Sequence, residues 1–346
     1  MQQDDPWVTA PAGHPETAEP EPQSLQKALL ALDHKSAPVF AVLDGAQFDN
    51  LPKELVLGDF ISRALYLDRG DNNPEQIITA PHMVWLEERR ERITGRSPSK
   101  TIPALLALIG DRPAAVFWQC PTGADALYKH LRGINMVLYP REMVADVAEP
   151  QGFGGSAAQA VAESHDLVLF RHADANVIAQ TLFAMNGAEV ARFYGPASRL
   201  VFAPDADWAD GKDWLKADRP DNLPNPAPGP LALCVKTVRR TEDIRLQRSR
   251  SRVAAYLRRV APDQVRDVDD ATLDAMTGRY MNEARSYGVG SEAAMGRWAY
   301  LQVITGGRMG NHKELTNYVA TPDGVKSADD RVRDLMAMAA IRTMEK

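Results

Sequence analysis

The sequence predicts an α/β N-terminal lobe, a mixed sheet with helices, followed by an all-helical C-terminal lobe. Three observations carry this. Apolar runs of strand length alternate with segments of helical period between residues 36 and 204. A proline-rich stretch holding Pro220, Pro224, Pro226, Pro228 and Pro230 then breaks the pattern. Beyond residue 236 strand signals end, and only apolar stripes at helical spacing remain.

Taken in order, residues 1–25 hold five prolines, five acids and no Lys or Arg, too little apolar surface to order themselves. Residues 1–35 are therefore expected as a disordered tail and lead-in. Val39 to Leu43 is an unbroken apolar run, the pattern of a strand buried on both faces, and Asp44-Gly45 punctuates it. Further strands are predicted within 60–67, 82–86, 114–119, 167–171 and 200–203. Between them Ala124, Leu127, Tyr128, Leu131 and Ile134 fall on one helical face. Residues 205–235 read as a linker or long surface crossover, pinned by Trp208 and Trp214 because indole is costly to leave in water.

In residues 236–346 one stripe is Val253, Tyr256, Leu257 and Val260. A second is Leu273, Met276, Tyr280, Met281 and Ala284, with Gly288 placed as a helix-ending glycine. The last holds Val332, Leu335, Met336 and Ala339, opened by Ser327 and Asp330 at capping-box spacing.

The composition, 45% apolar and 25% charged, is that of an ordinary globular protein, and the net charge of −6 argues against nucleic acid as a partner. No run approaches the ~18 apolar residues of a membrane span, and no apolar leader opens the chain, so a cytoplasmic protein without membrane contact is expected. Cys120 and Cys234 lie apart beside apolar segments and are expected as buried free thiols. The seven histidines are scattered. The closest pair, His165 and His172, flanks a strand and would lie ~23 Å apart along it, so no metal or other cofactor is expected. Motifs for acyl transfer, zinc proteolysis and nucleotide binding are missing. The glycine-rich residues 152–158 follow a polar segment rather than a strand and read as a flexible loop.

Two stretches remain. Residues 236–259 carry nine Lys or Arg against two acids. They read as the solvated face of a long helix, or as a docking surface for an acidic protein segment through Arg239, Arg240, Arg245, Arg248 and Arg252. Nucleic acid is the weaker alternative on an acidic chain. The second stretch, LFRHADANVI at 169–178, packs Arg171, His172, Asp174 and Asn176 together. One reading is a dispersed active site using Asp44, Arg171 and His172. The other is a strand-to-helix joint, in which Asp174 caps the helix that follows and Arg171 pairs with Asp174 or another carboxylate at the strand ends.

The same residues carry a family resemblance. Phe40 to Ala46, Leu169-Phe170-Arg171 with Asp174 and Val177, and Phe193-Tyr194-Gly195-Pro196 resemble, in that order, three blocks of the type VI secretion effector chaperones, or adaptors. The segment from Ala284 to Gly306 is similar to the helical tail that often follows those blocks. The blocks cover residues 38–204 well and 240–306 loosely. Two positions depart from the family pattern: Ala175 stands where Pro is frequent, and Asn176 where a basic residue is frequent.

The resemblance implies a non-enzymatic protein that binds an effector toxin and loads it onto the VgrG spike. It makes Asp44, Arg171, Asp174, Gly195 and Pro196 structural motif residues. An exposed apolar groove is then expected for the client, with Met281, Met295, Trp298 and Tyr300 as contributors.

Overall fold

The computed structural model describes residues 24–65, 74–141, 164–209, 211–226, 228–321 and 324–344. The expected tail over residues 1–23 and the glycine-rich 152–158 lie outside them. The chain divides into two compact units, Met1–Val235 and Lys236–Lys346.

In the first unit the run Val39–Leu43 forms strand β1, and all five residues are buried. The elements before the second unit are α1 (Leu25–Leu30), α2 (Leu51–Leu57), β2 (Ser62–Ala64), α3 (Pro74–Thr79), β3 (His82–Trp85), α4 (Pro98–Ile109), β4 (Ala115–Gln119), α5 (Ala124–Ile134), β5 (Met136–Pro140), β6 (His165–Leu169), α6 (Ala175–Thr181), α7 (Gly187–Tyr194), β7 (Arg199–Phe202), β8 (Leu215–Asp218) and β9 (Leu231–Ala232). Helix α1 corrects the disordered lead-in expected over residues 1–35. Ser24 caps it, and Leu29 is fully buried.

Six strands pair in the order β2-β3-β1-β4-β7-β8, with every neighbouring pair antiparallel. Because side chains alternate across a strand, β1 divides its residues between two layers. Val39, Ala41 and Leu43 face a core shared with Leu29, Leu51, Leu55, Ile102 and Leu105 of α1, α2 and α4. On the other face Phe40 meets Trp85 edge-on, and Trp118 packs on Phe193 of α7.

A second sheet, β6-β5-β9, is mixed: β5 runs antiparallel to β6 and parallel to β9. Residues 205–235, read in the sequence as a linker or crossover, thus supply an edge strand to each sheet and belong to the first unit. Trp214 packs against the first core, as an anchoring indole should.

The second unit is helical among its described residues. Its elements are α8 (Val235–Val260, beginning one residue before the unit), α9 (Pro262–Val265), α10 (Asp270–Ser286), α11 (Glu292–Ile304), α12 (Lys313–Ala320) and α13 (Ala328–Met344). The predicted stripes meet in one core: Val253 and Leu257 of α8, Leu273 and Met281 of α10, Val332 and Leu335 of α13. Helix α10 closes as its glycine foretold. Gly288 takes φ 83°, its N–H donates to Arg285, and the N–H of Val289 reaches back to Ala284, the paired bonds of a Schellman ending. Ser327 and Asp330 bond reciprocally at the start of α13.

Candidate functional site

Arg171 and Asp174 of 169–178 meet Asp44 where β1 and β6 end and α6 begins. Arg171 Nε donates to Asp44 Oδ2 at 3.0 Å, and its Nη2 bonds the same oxygen and lies 3.3 Å from Asp174 Oδ2. Both carboxylates are nearly buried, at 6% and 9% side-chain exposure, while the Arg171 side chain between them keeps 41%.

Each carboxylate also has a backbone task. Asp44 Oδ1 accepts from the Ala46 N–H, and Asp174 Oδ1 accepts from the N–H groups of Asn176 and Val177 at 2.8 and 3.3 Å. The carbonyl of Pro113 takes the Ala175 N–H at 2.8 Å and the Gln47 amide at 3.3 Å. Ala175 therefore makes a bond that a proline, lacking the N–H, would forfeit. Asn176 holds Asp205 through two reciprocal bonds, 2.7 and 2.9 Å.

Burial raises the Asp174 carboxyl above its ordinary range; Arg171 and the two capping N–H groups pull it back only in part. His172 does not join this cluster. It is buried, its Nε2 lies 2.6 Å from Asn135 Oδ1, and its ring stands edge-on to Trp118. Enclosure pushes its pKa down to about 3, so the imidazole is neutral and shut off from solvent.

Gly195 and Pro196 serve the other face of the sheet. Gly195 has φ 51°, and a Cβ there would lie 2.3 Å from the His130 ring, so only glycine fits. His130 Nε2 bonds the Phe193 carbonyl at 2.8 Å, and burial pushes its pKa down to about 4. The Pro196 carbonyl accepts the Cys120 thiol. Cys120 is a buried free thiol as expected, whereas Cys234 is only half-buried.

The partner-binding candidates separate. Arg239, Arg240 and Arg245 on α8 are exposed, while Arg248 and Arg252 are partly covered. Arg252 clamps Glu292 of α11, its Nε bond 2.8 Å long. Met281, Met295 and Trp298 are corrected: all three are core residues, at 0%, 5% and 0% exposure, and present no groove. Tyr300 packs partly buried against the same core. The resemblance implied a groove through these residues, and the apolar stripe that holds Met281 does not say which neighbouring helix covers it. Trp298 is held in the core by its indole N–H, which donates to Glu283 at 3.1 Å.

A separate apolar cavity of about 460 Å³ lies in the second unit, framed by α11, α12 and α13 and the 3₁₀ turn Met309–Asn311. The sequence signals it only in part: Leu301 and Ile304 share a face at the end of α11, whereas Thr305 and Arg308 follow in the turn beyond the helix.

Among the described residues no three His, Cys, Asp or Glu side chains are grouped so as to hold a metal ion. No described helix is long and apolar enough to cross a membrane. No protein-family profile, curated protein or solved structure matches the chain.

Proposed function

We propose that the protein is a non-enzymatic adaptor of type VI secretion. It binds an effector toxin in the cytoplasm of the producing cell and delivers it to the VgrG spike. The observation that carries this reading is the clamp of Arg171 between Asp44 and Asp174. The residues through which the chain resembles that family are spent on one another and on backbone N–H groups. His172, the third member of the alternative active site, is enclosed and turned to Asn135. Support for a binding role comes from an apolar groove in the second unit and from the exposure of Arg239, Arg240 and Arg245 on α8.

Co-expression with the products of the adjoining genes, followed by size exclusion, tests the reading. A stable complex with a toxin, and with the C-terminal region of a VgrG protein, is expected. Recovery of only the free protein with every candidate overturns it. Asp44→Ala and Arg171→Ala separate the adaptor from an enzyme: the adaptor loses folding or client binding, whereas an enzyme stays folded and loses turnover.

A further inference from the structure

The groove of the second unit has a floor and a rim of different character. Leu301, Met309 and Leu335 form an apolar floor, each less than a tenth exposed. Ile304 and Met338 stand on the rim at 36% and 48% exposure, large apolar side chains left in water. Leu301 and Ile304 are ridge neighbours on α11, as Leu335 and Met338 are on α13, so two helical ridges flank the opening.

The charge at the opening has one sign. The guanidinium of Arg308 supplies it, and no Asp or Glu is among the described lining residues. Arg308 is exposed; its Nε donates to the Thr305 carbonyl at 2.9 Å, and it has no ion pair among the described residues.

We infer that this groove is the docking site for an amphipathic helix of a protein client, one whose apolar stripe fills the floor and whose flanking carboxylate pairs with Arg308. The inference rests on the reading of the protein as a binder of other proteins. Shape argues for a helix: the ridges of α11 and α13 flank the opening, Ile304 and Met338 stand along them, and a third helix laid between two ridges covers both. The two methionines, Met309 and Met338, suit a surface that repacks around different side chains. Arg308 supplies orientation, since a helix docked the wrong way round would leave its carboxylate unpaired.

The test uses the full chain and a fluorescein-labelled designed peptide of about 18 residues, long enough to hold helix. It carries leucines at i, i+4, i+7 and i+11 with glutamates along one flank; a second peptide replaces the glutamates with lysines. Saturable binding of the acidic peptide is expected near the micromolar range, roughly tenfold tighter than the basic one. Ile304→Glu and Met338→Glu should each weaken it by at least about tenfold, with unchanged circular dichroism because both sites are exposed. Arg308→Glu should reverse the preference between the peptides.

Equal binding of both peptides, or binding indifferent to these substitutions, overturns the inference. So does binding of a small apolar dye alone, which would make the groove a ligand pocket. Self-association abolished by Met338→Glu, without peptide binding, overturns it in favour of a second copy of the chain. Failure of the peptide leaves the co-expression result to decide the adaptor reading by itself, and the converse also holds.

Discussion

Arg171→Met removes the charge between Asp44 and Asp174 and keeps most of the aliphatic stem. Leaving one member of a buried pair uncompensated costs about 3–5 kcal/mol. Arg171 is two-fifths exposed, and both carboxylates retain backbone donors, so screening and residual hydrogen bonds bring the expected loss nearer 2 kcal/mol at pH 7. Urea unfolding followed by tryptophan emission reads it out, because Trp85, Trp118 and Trp214 lie in the first unit and only Trp298 in the second.

The loss should depend on pH in a definite direction. The folded Asp174 carboxyl is held above its ordinary value of 3.8, so ionising it costs folding free energy as pH rises through its titration. Removing Arg171 enlarges that cost, which disappears once the carboxyl is protonated. The destabilisation is therefore greatest at neutral pH and shrinks toward about pH 4. Asp44→Asn in the Arg171→Met background should recover part of it, because an uncompensated charge is then gone. A loss that does not change with pH, with no recovery in the double variant, refutes the electrostatic account of the joint.

Three further outcomes are expected. Gly195→Ala forces a Cβ into the His130 ring at a glycine-only backbone angle and should cost at least about 2 kcal/mol, lowering the melting temperature of the first unit. Glu88 is fully buried; burial alone would raise its pKa, but bonds from the Arg96 side chain and N–H and from Arg92 outweigh this and hold it at about 2 against an ordinary 4.5. Its contribution, on the order of 3 kcal/mol, is present above pH 4.5 and lost as pH falls toward 2, so acid titration of Glu88→Gln should show a flatter limb. Burial depresses the pKa of both His130 and His172, so the unfolded chain takes up protons first. Stability of the first unit should fall as pH drops below about 6.5, and His172→Gln should lessen the slope, measured by urea midpoints from pH 7 to 4.5.

Local chemistry made much of this architecture legible. Val39 to Leu43 is apolar at every position because helices cover both faces of β1. Asp174 and Gly288 were readable because a cap and a left-handed glycine are needs of the chain over four or five residues. What escaped is long-range. Strand β5 ends in proline, and β8, Leu-Lys-Ala-Asp, alternates over only four residues inside a proline-rich stretch; pairing with β6 and β7 decides them. That Arg171 sought a carboxylate at the strand ends was legible; that Asp44, 127 residues earlier, supplies the shorter contact was not. Met281, Met295 and Trp298 show the same limit from the other side. The resemblance made all three groove candidates and helical spacing placed only Met281 on an apolar face; the packing of α10 on α11 covers them.

The strand order of the large sheet also sets a timetable. Strands β1 and β4 can pair once Gln119 has been made, yet β7, the partner of β4 on its other side, begins at Arg199 and β8 ends at Asp218. At ordinary rates of synthesis the roughly 80 residues from Gln119 to the end of β7 take about 4–16 s. Through that interval the nascent chain carries an apolar strand with one row of backbone groups unpaired, at the stage when neighbouring nascent chains are nearest. Ribosomes that stall between β4 and β7 would release fragments with an open, adhesive edge, a hazard that the stability of the finished fold does nothing to reduce.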